Sequence, residues 1–328
     1  MKILVCGWGS IGKRHLANAE KLAETAVFDL DSRIADKCRQ EHGIPAFDDL
    51  KAALEWKPDG AVIATPTNLH IPIALASMEA GAHVLIEKPI SHSTDGVDAF
   101  LSRAQNLKRQ VFVVCNMRFH PALRAIRSNL SRIGRPLFAR AHYGNYLPEM
   151  RPNADYRKLY AARREQGGGA VLDGIHELDY LVWLFGSVKK IAGNAAKLSK
   201  LEIETEDYAC ICLQHESGVA SEIHLDYLRP FKRRGCEIVG ELGMILWQSE
   251  GKQPENCSIR LYEKQTRQWE SLLQFENVDL NKPYEKMMEH FIKGIQGHEV
   301  PLLEGRQAAE ELSVALQALK ISQNNPET

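Results

Sequence analysis

A short apolar strand running straight into spaced glycines constrains this chain more than any other feature. Ile3-Leu4-Val5-Cys6 leads into Gly7-Trp8-Gly9-Ser10-Ile11-Gly12, and a helix-compatible segment, Lys13 to Lys21, follows. Each glycine answers a different demand. Gly7 makes the tight strand-to-helix turn, Gly9 permits close backbone approach to a pyrophosphate, and Gly12 lets the helix pack on the strand. The helix start then presents free N–H groups and a partial positive charge to phosphate. Asp29 ends the next apolar run, where a carboxylate can accept hydrogen bonds from a ribose hydroxyl pair. Strand, helix and acid in this order predict a dinucleotide site made by Gly7, Trp8, Gly9, Ser10, Ile11, Gly12 and Asp29. A glycine turn without ligand is the alternative.

The 328 residues predict two domains. A formal net charge of -1 gives no global positive field, which argues against nucleic acid as a partner. The first apolar run is too short for a signal peptide, and no run approaches the roughly 20 residues that span a bilayer. The cysteines at 6, 38, 115, 210, 212, 236 and 257 are odd in number, dispersed and without a C-x-x-C pair. They read as reduced thiols of a cytoplasmic protein, with no disulfide frame and no metal site expected.

Up to about residue 118, strand-like runs (Ile3–Cys6, Thr25–Asp29, Gly60–Ala64, His83–Glu87, Val111–Cys115) alternate with helical patterns near 13–22, 33–42, 48–55, 70–80 and 95–108. The alternation predicts an α/β domain over 1–118, a doubly wound parallel sheet with helices on both faces. Ligands bind such sheets beyond the carboxyl ends of the strands. The glycine loop, Asp29, Thr65-Pro66 and Glu87-Lys88-Pro89 all fall at those ends. From 119 to 328 the pattern changes to strands near 136–146, 189–198, 206–215, 218–227, 235–240, 243–247, 258–263 and 268–275. This predicts an α+β domain with an open, mostly antiparallel sheet. One helical pattern, Ala170 to Phe185, ends at Gly186 as a C-cap. Two more helices are expected near 283–296 and 305–322, and Ser322 to Thr328 reads as a frayed tail.

Gly7–Gly12, Asp59–Ala64 into Thr65-Pro66-Thr67-Asn68-Leu69-His70, and Ala80-Gly81-Ala82-His83-Val84-Leu85-Ile86-Glu87-Lys88-Pro89 occur in that order. Asn116-Met117-Arg118-Phe119 and His176-Glu177-Leu178-Asp179 follow. Together they resemble the glucose-fructose oxidoreductase/inositol dehydrogenase/MocA family over essentially the whole chain. The resemblance implies a Rossmann domain, a C-terminal domain with an open sheet, and NAD(P)-dependent chemistry on sugars or cyclitols. It also implies homodimers or homotetramers formed through that sheet, a cis Lys88–Pro89 bond, and Lys88 placed at the nicotinamide. The stretch from Tyr143 through Asp155-Tyr156-Arg157, Tyr160 and Gly167–Gly169 is similar to members from surface-polysaccharide and amino-sugar biosynthesis.

The chemistry-bearing residues then take roles. Lys88 is expected to donate a hydrogen bond to the reacting oxygen and to stabilise charge developing there. His176 is expected to take and return that oxygen's proton. Asp173 and Asp179 lie three residues to either side, on one face of the expected helix, and a carboxylate there can orient the ring. Many family members place the aspartate four residues before the histidine, which puts the role of Asp173 in question, and Asp179 reads as structural. Thr65, Pro66, Asn68, Glu87 and His70 would line the nicotinamide side, with a helix-capping role as the alternative for His70. Arg118 is either a substrate clamp or an interdomain ion pair. Tyr156 and Tyr160 suit sugar stacking and hydrogen bonding. The basic run Arg229-Pro230-Phe231-Lys232-Arg233-Arg234 is either a solvated face or part of a site for an anionic sugar.

Asp29 disfavours a 2′-phosphate and so favours NAD over NADP, while Lys13, Arg14 and Arg33 blur that choice and Asp31 reads as a helix cap. The expected activity is hydride transfer between nicotinamide and a sugar hydroxyl or keto carbon. A redox-neutral sugar enzyme with tightly held NAD and a dinucleotide-sensing regulator are the alternatives; Glu87-Lys88-Pro89 and His176 argue against the regulator.

Overall fold

The computed structural model describes residues 1–251 and 255–323. The chain divides into two compact units, Met1–Asn116 with Asn281–Leu312, and Met117–Leu280 with the residues from Ser313.

The first unit holds six parallel strands: β1 (Lys2–Cys6), β2 (Glu24–Phe28), β3 (Ala46–Phe47), β4 (Gly60–Ile63), β5 (His83–Ile86) and β6 (Val111–Val113), in the order β3-β2-β1-β4-β5-β6. Between them run α1 (Ser10–Ala19), α2 (Ser32–His42), α3 (Leu50–Glu55), α4 (His70–Glu79) and α5 (Val97–Asn106). Ile3, Leu4, Val5 and Cys6 are all 0% exposed, because a parallel sheet is covered on both faces. That is why the strands read as unbroken apolar runs. The order reverses between β1 and β4, the switch point where such sheets bind ligands. Cys6 pairs with Ile63, and Ile63 with Ile86. The segments leaving β1, β4 and β5 are therefore neighbours.

Placing the boundary at residue 118 left α10 (Lys282–Ile295) in the second domain, whereas it clusters with the first unit. The physical reason is its apolar face. Met287, Met288 and Phe291 are at most 1% exposed. A Cβ on Gly60 would lie 2.6 Å from Ile295 Cδ1, and one on Gly294 would overlap the Phe112 ring.

The second unit is built on eight strands: β7 (Pro136–Gly144), β8 (Val188–Ala196), β9 (Tyr208–His215), β10 (Ala220–Asp226), β11 (Arg233–Gly240), β12 (Gly243–Glu250), β13 (Asn256–Glu263) and β14 (Gln268–Phe275). Their order is β14-β13-β12-β11-β7-β10-β9-β8, and every neighbouring pair but β7–β10 is antiparallel. β12 alternates buried and half-buried residues, as expected when one face is covered. That face carries Trp247, which is 0% exposed and meets the Tyr180 ring at 6.0 Å. Phe138 and Trp269 remain 38% and 44% exposed.

The helices here are α6 (Pro121–Asn129), α7 (Leu147–Met150), α8 (Ala170–Asp173) and α9 (Ile175–Phe185). The expected single helix over 170–185 is thus two pieces. Gly174 breaks it with ψ 17°, and a Cβ there would sit 2.6 Å from Leu225 Cδ2. Helix α6 was not expected; it begins where His120 Nδ1 accepts the Ala122 N–H at 3.1 Å. The last helix, α11 (Gly305–Gln323), runs on into the expected tail. The rest of that tail, 324–328, lies outside the described residues. Among the described residues no helix is long and apolar enough to cross a membrane.

Candidate active site

Helix α1 starts at the glycine loop without a side-chain cap, so its first N–H groups are left for a ligand. Two of the three glycines are demanded by the protein's own packing. Gly7 has φ +92° and a Cβ there would lie 2.7 Å from the Ala64 oxygen; one on Gly12 would overlap the Gly7 oxygen. Gly9 differs. A Cβ there meets nothing within 4 Å, and its φ of -70° suits any residue. The open space beside Gly9 and the uncapped helix start fit a diphosphate.

Asp29 Oδ2 accepts the Trp8 N–H at 2.8 Å, and its Oδ1 accepts the Asp31 N–H at 3.1 Å. The half-buried carboxylate thus sits against the glycine loop with lone pairs still available for a ribose. Asp31 caps α2 by accepting the Arg33 N–H at 3.0 Å, and the Arg33 side chain pairs back onto it at 2.7 Å. Lys13 Nζ lies 4.0 Å from the Trp8 ring centre, and the Arg14 guanidinium 4.8 Å from that of Tyr284.

The Lys88–Pro89 bond is cis, and Lys88 is half-buried. The Glu87 carboxylate is 7% exposed and reaches in two directions. Its Oε2 accepts the Lys88 N–H at 3.1 Å, and its Oε1 lies 2.7 Å from Nε2 of His15, an α1 residue with no exposed surface. Burial pushes the Glu87 carboxyl up; the His15 donor and the nearby Lys88 charge outweigh that and hold it below the usual carboxylate range. His70 is 1% exposed, and its side chain does not cap the N-terminus of α4. Its Nδ1 lies 3.0 Å from the Pro89 oxygen and its Nε2 3.0 Å from the Thr65 oxygen. Burial lowers its pKa, so the ring is neutral near pH 7 and donates from one nitrogen. The Thr65 hydroxyl, at the β4 end, is buried with no hydrogen-bond partner among the described groups. Pro66 and Asn68 are exposed on the same turn.

In the second unit His176 lies in the first turn of α9, 8% exposed. Asp173 ends α8, across the Gly174 break, so the premise of one continuous helix face is corrected. Its carboxylate accepts a short hydrogen bond from the Tyr160 hydroxyl and one of 3.3 Å from Tyr227. Tyr160 is held close because a Cβ on Gly168 would overlap the Tyr160 carbonyl oxygen. The Tyr156 hydroxyl instead accepts the Glu202 N–H at 3.3 Å.

Arg118 is not a substrate clamp. It is 1% exposed, and its guanidinium donates to Asp179 Oδ1 at 2.8 and 2.6 Å. Both residues belong to the second unit, so the pair is not interdomain either, while the structural role expected of Asp179 is observed. The basic run is likewise neutralised. Arg229 lies 3.4 Å from Asp226, Arg233 3.4 Å from Glu250 and Arg234 2.8 Å from Glu177, and Lys232 pairs closely with Glu255. These partners remove the reason for expecting an anionic sugar.

Two family models match the chain: residues 1–115 match an oxidoreductase family with an NAD-binding Rossmann fold, and residues 123–246 match the GFO/IDH/MocA C-terminal domain. The chain belongs to the Gfo/Idh/MocA family. Its relatives include a 1,5-anhydro-D-fructose reductase of Ensifer adhaerens, 27% identical over 80% of this chain and 77% of that protein. A UDP-N-acetylglucosamine 3-dehydrogenase of Acidithiobacillus ferrooxidans is 33% identical over 39% of this chain and 41% of its own. The fold is shared with the WlbA dehydrogenase of Bordetella pertussis, solved with NADH and UDP-GlcNAcA, at a TM-score of 0.81, with 21% identity over 99% of this chain and 97% of that one. This member of the Gfo/Idh/MocA family is an NAD(P)-dependent oxidoreductase.

Sequence reasoning missed His15 and Tyr227. His15 carried a weak signal, a polar residue beside Leu16 on a helix that must bury one face. Tyr227 carried none, because its link to Asp173 spans 54 residues.

Proposed function

We propose that this enzyme moves hydride between nicotinamide C4 and a hydroxyl- or keto-bearing carbon of a sugar or sugar derivative, with NAD preferred over NADP. The placement of Lys88 carries the reading: it leaves β5, which pairs with β4, whose end leads into Thr65, and β4 in turn pairs with β1, which ends in the glycine loop. The named relatives that act on anhydrofructose and UDP-N-acetylglucosamine support the substrate class.

The bound nicotinamide supplies the hydride acceptor or donor. Lys88 donates a hydrogen bond to the reacting oxygen and offsets its developing charge. His176 takes the hydroxyl proton during oxidation and returns it during reduction. Asp173, held by Tyr160 and Tyr227, supports the protonated His176 ring. Asp29 selects NAD by repelling a 2′-phosphate, so Asp29→Ala should raise NADPH affinity relative to NADH; an unchanged ratio refutes that role. We further place the protein in the cytoplasm, on its dispersed thiols, and propose a homodimer or homotetramer joined through the sheet face that exposes Phe138. The test is a panel of sugars incubated with NAD or NADH. Net cofactor turnover with one of them supports a dehydrogenase, and product formation without it favours the redox-neutral alternative.

A further inference from the structure

Lys88 is the residue whose placement matters most, yet it stands on a loop. The atoms that fix that loop come from elsewhere in the first unit. On the N-terminal side, Glu87 spends one carboxylate oxygen on the Lys88 N–H at 3.1 Å and sets the other 2.7 Å from His15 Nε2. His15 belongs to the helix that begins at the glycine loop. On the C-terminal side, His70 places its ring nitrogens 3.0 Å from the oxygens of Pro89 and Thr65. All three braces are buried: His15 is 0%, His70 1% and Glu87 7% exposed, and Ile86, which leads into the loop, is 0% exposed.

A buried carboxylate and two buried imidazoles cost free energy unless they are hydrogen-bonded to one another or to the backbone. Three such groups around one lysine are therefore a constrained arrangement. His15 lies on the buried face of its helix, together with Leu16, Asn18 and Ala19. The Tyr284 ring packs edge-on against it at 5.8 Å. Glu87 supplies the partner of His15 Nε2, while His15 Nδ1 is buried with no partner among the described groups, and Glu87 in turn accepts the Lys88 N–H.

We propose that His15, through Glu87, and His70, through Pro89, are positioning residues that lock the Lys88 loop to the glycine-loop helix, so that dinucleotide occupancy and the placement of the Lys88 amine are coupled. This rests on the reading of Lys88 as the group that holds the reacting oxygen. A diphosphate settling on the start of α1 fixes that helix. His15 and Glu87 carry the constraint to the Lys88 N–H, and the His70 brace keeps the far end of the loop from yielding.

The test needs no substrate. Lys88 acetylation by an amine-reactive acetyl ester is followed by mass spectrometry with and without saturating NADH, using exposed Lys51 on α3 as the internal reference. NADH affinity is titrated in parallel by fluorescence. In the wild type, NADH is expected to slow Lys88 acetylation and leave Lys51 unchanged. In His15→Leu, which removes the donor to Glu87, NADH should still bind while its effect on Lys88 falls by about fivefold or more, the scale of one lost buried hydrogen bond. His15→Gln returns a donor and should restore the effect. Wild-type protection of Lys88 in NADH-bound His15→Leu overturns the proposal. Should His15→Leu not fold, Glu87→Gln decides by the same two outcomes. A wild type that binds neither NADH nor NADPH overturns the dinucleotide reading and the coupling with it, whereas binding without linked protection overturns the coupling alone.

Discussion

The two units place their candidate catalytic groups by opposite means. In the first, each functional group belongs to a contiguous motif at a strand end, and backbone packing fixes the geometry: Gly7 against Ala64, Gly12 against Gly7. In the second, Asp173 is held by Tyr160 from 13 residues before and Tyr227 from 54 after, across a helix break. The first kind of site carries its functional residues in local motifs, with His15, 72 residues from Glu87, as a long-range brace. The second depends on side chains that meet only once the sheet has formed. Cofactor binding should therefore tolerate change in the second unit, while turnover should be sensitive to both.

The largest test of that contrast is the pair Lys88→Ala and His176→Ala. Each should lower kcat by about 10²-fold or more, with NADH binding retained; a variant with full activity refutes its assigned role. Acid is the next lever. Burial pushes the Glu255 carboxyl up, but His120, Lys232 and Ser249 around it bring it down to about 2. A lowered folded-state pKa gives stability that is present above the unfolded value and is lost as pH falls toward the folded one. Between about pH 4.5 and 2, the wild type should lose on the order of 3 kcal/mol through this group. Glu255→Gln should be weaker at pH 7 and converge with the wild type near pH 2; a constant gap in denaturation across that range contradicts the assignment.

Gly9→Ala sharpens the comparison further. The added methyl meets open space, so the melting temperature should hold while NADH affinity falls by about tenfold or more, because the backbone can no longer approach phosphate. Unchanged affinity would return the loop to a plain turn. The smallest effect belongs to Tyr160→Phe. Losing one of the two phenol donors to Asp173 should cost about fivefold in kcat, near the value of one hydrogen bond, without altering NADH affinity. An altered affinity would blur the division between the units.

The same division sets what could be read from the sequence. The parallel sheet, its strands and the cofactor motifs were legible because buried strands leave unbroken apolar runs and the glycine spacing is rigid; the two-residue β3 left no pattern to find. The antiparallel sheet was legible from alternation, apart from its exact ends. The break at Gly174 within the expected 170–185 helix was not legible, because the Leu225 side chain that a Cβ there would meet lies 51 positions away in a strand. Arg118 looked free for substrate because nothing local showed Asp179 beside it. The run Arg229–Arg234 read as positive for the same reason, although its acids at 177, 226, 250 and 255 were visible singly.

The measurement that bears most directly on the whole account is a fluorescence titration of the purified protein with NADH and NADPH, after any co-purified dinucleotide has been released and identified. Saturable binding of NADH, tighter than that of NADPH and weakened in Gly9→Ala, is the predicted result. Binding of neither would contradict the dinucleotide site at the glycine loop, and with it the roles given to Asp29, Lys88 and His176.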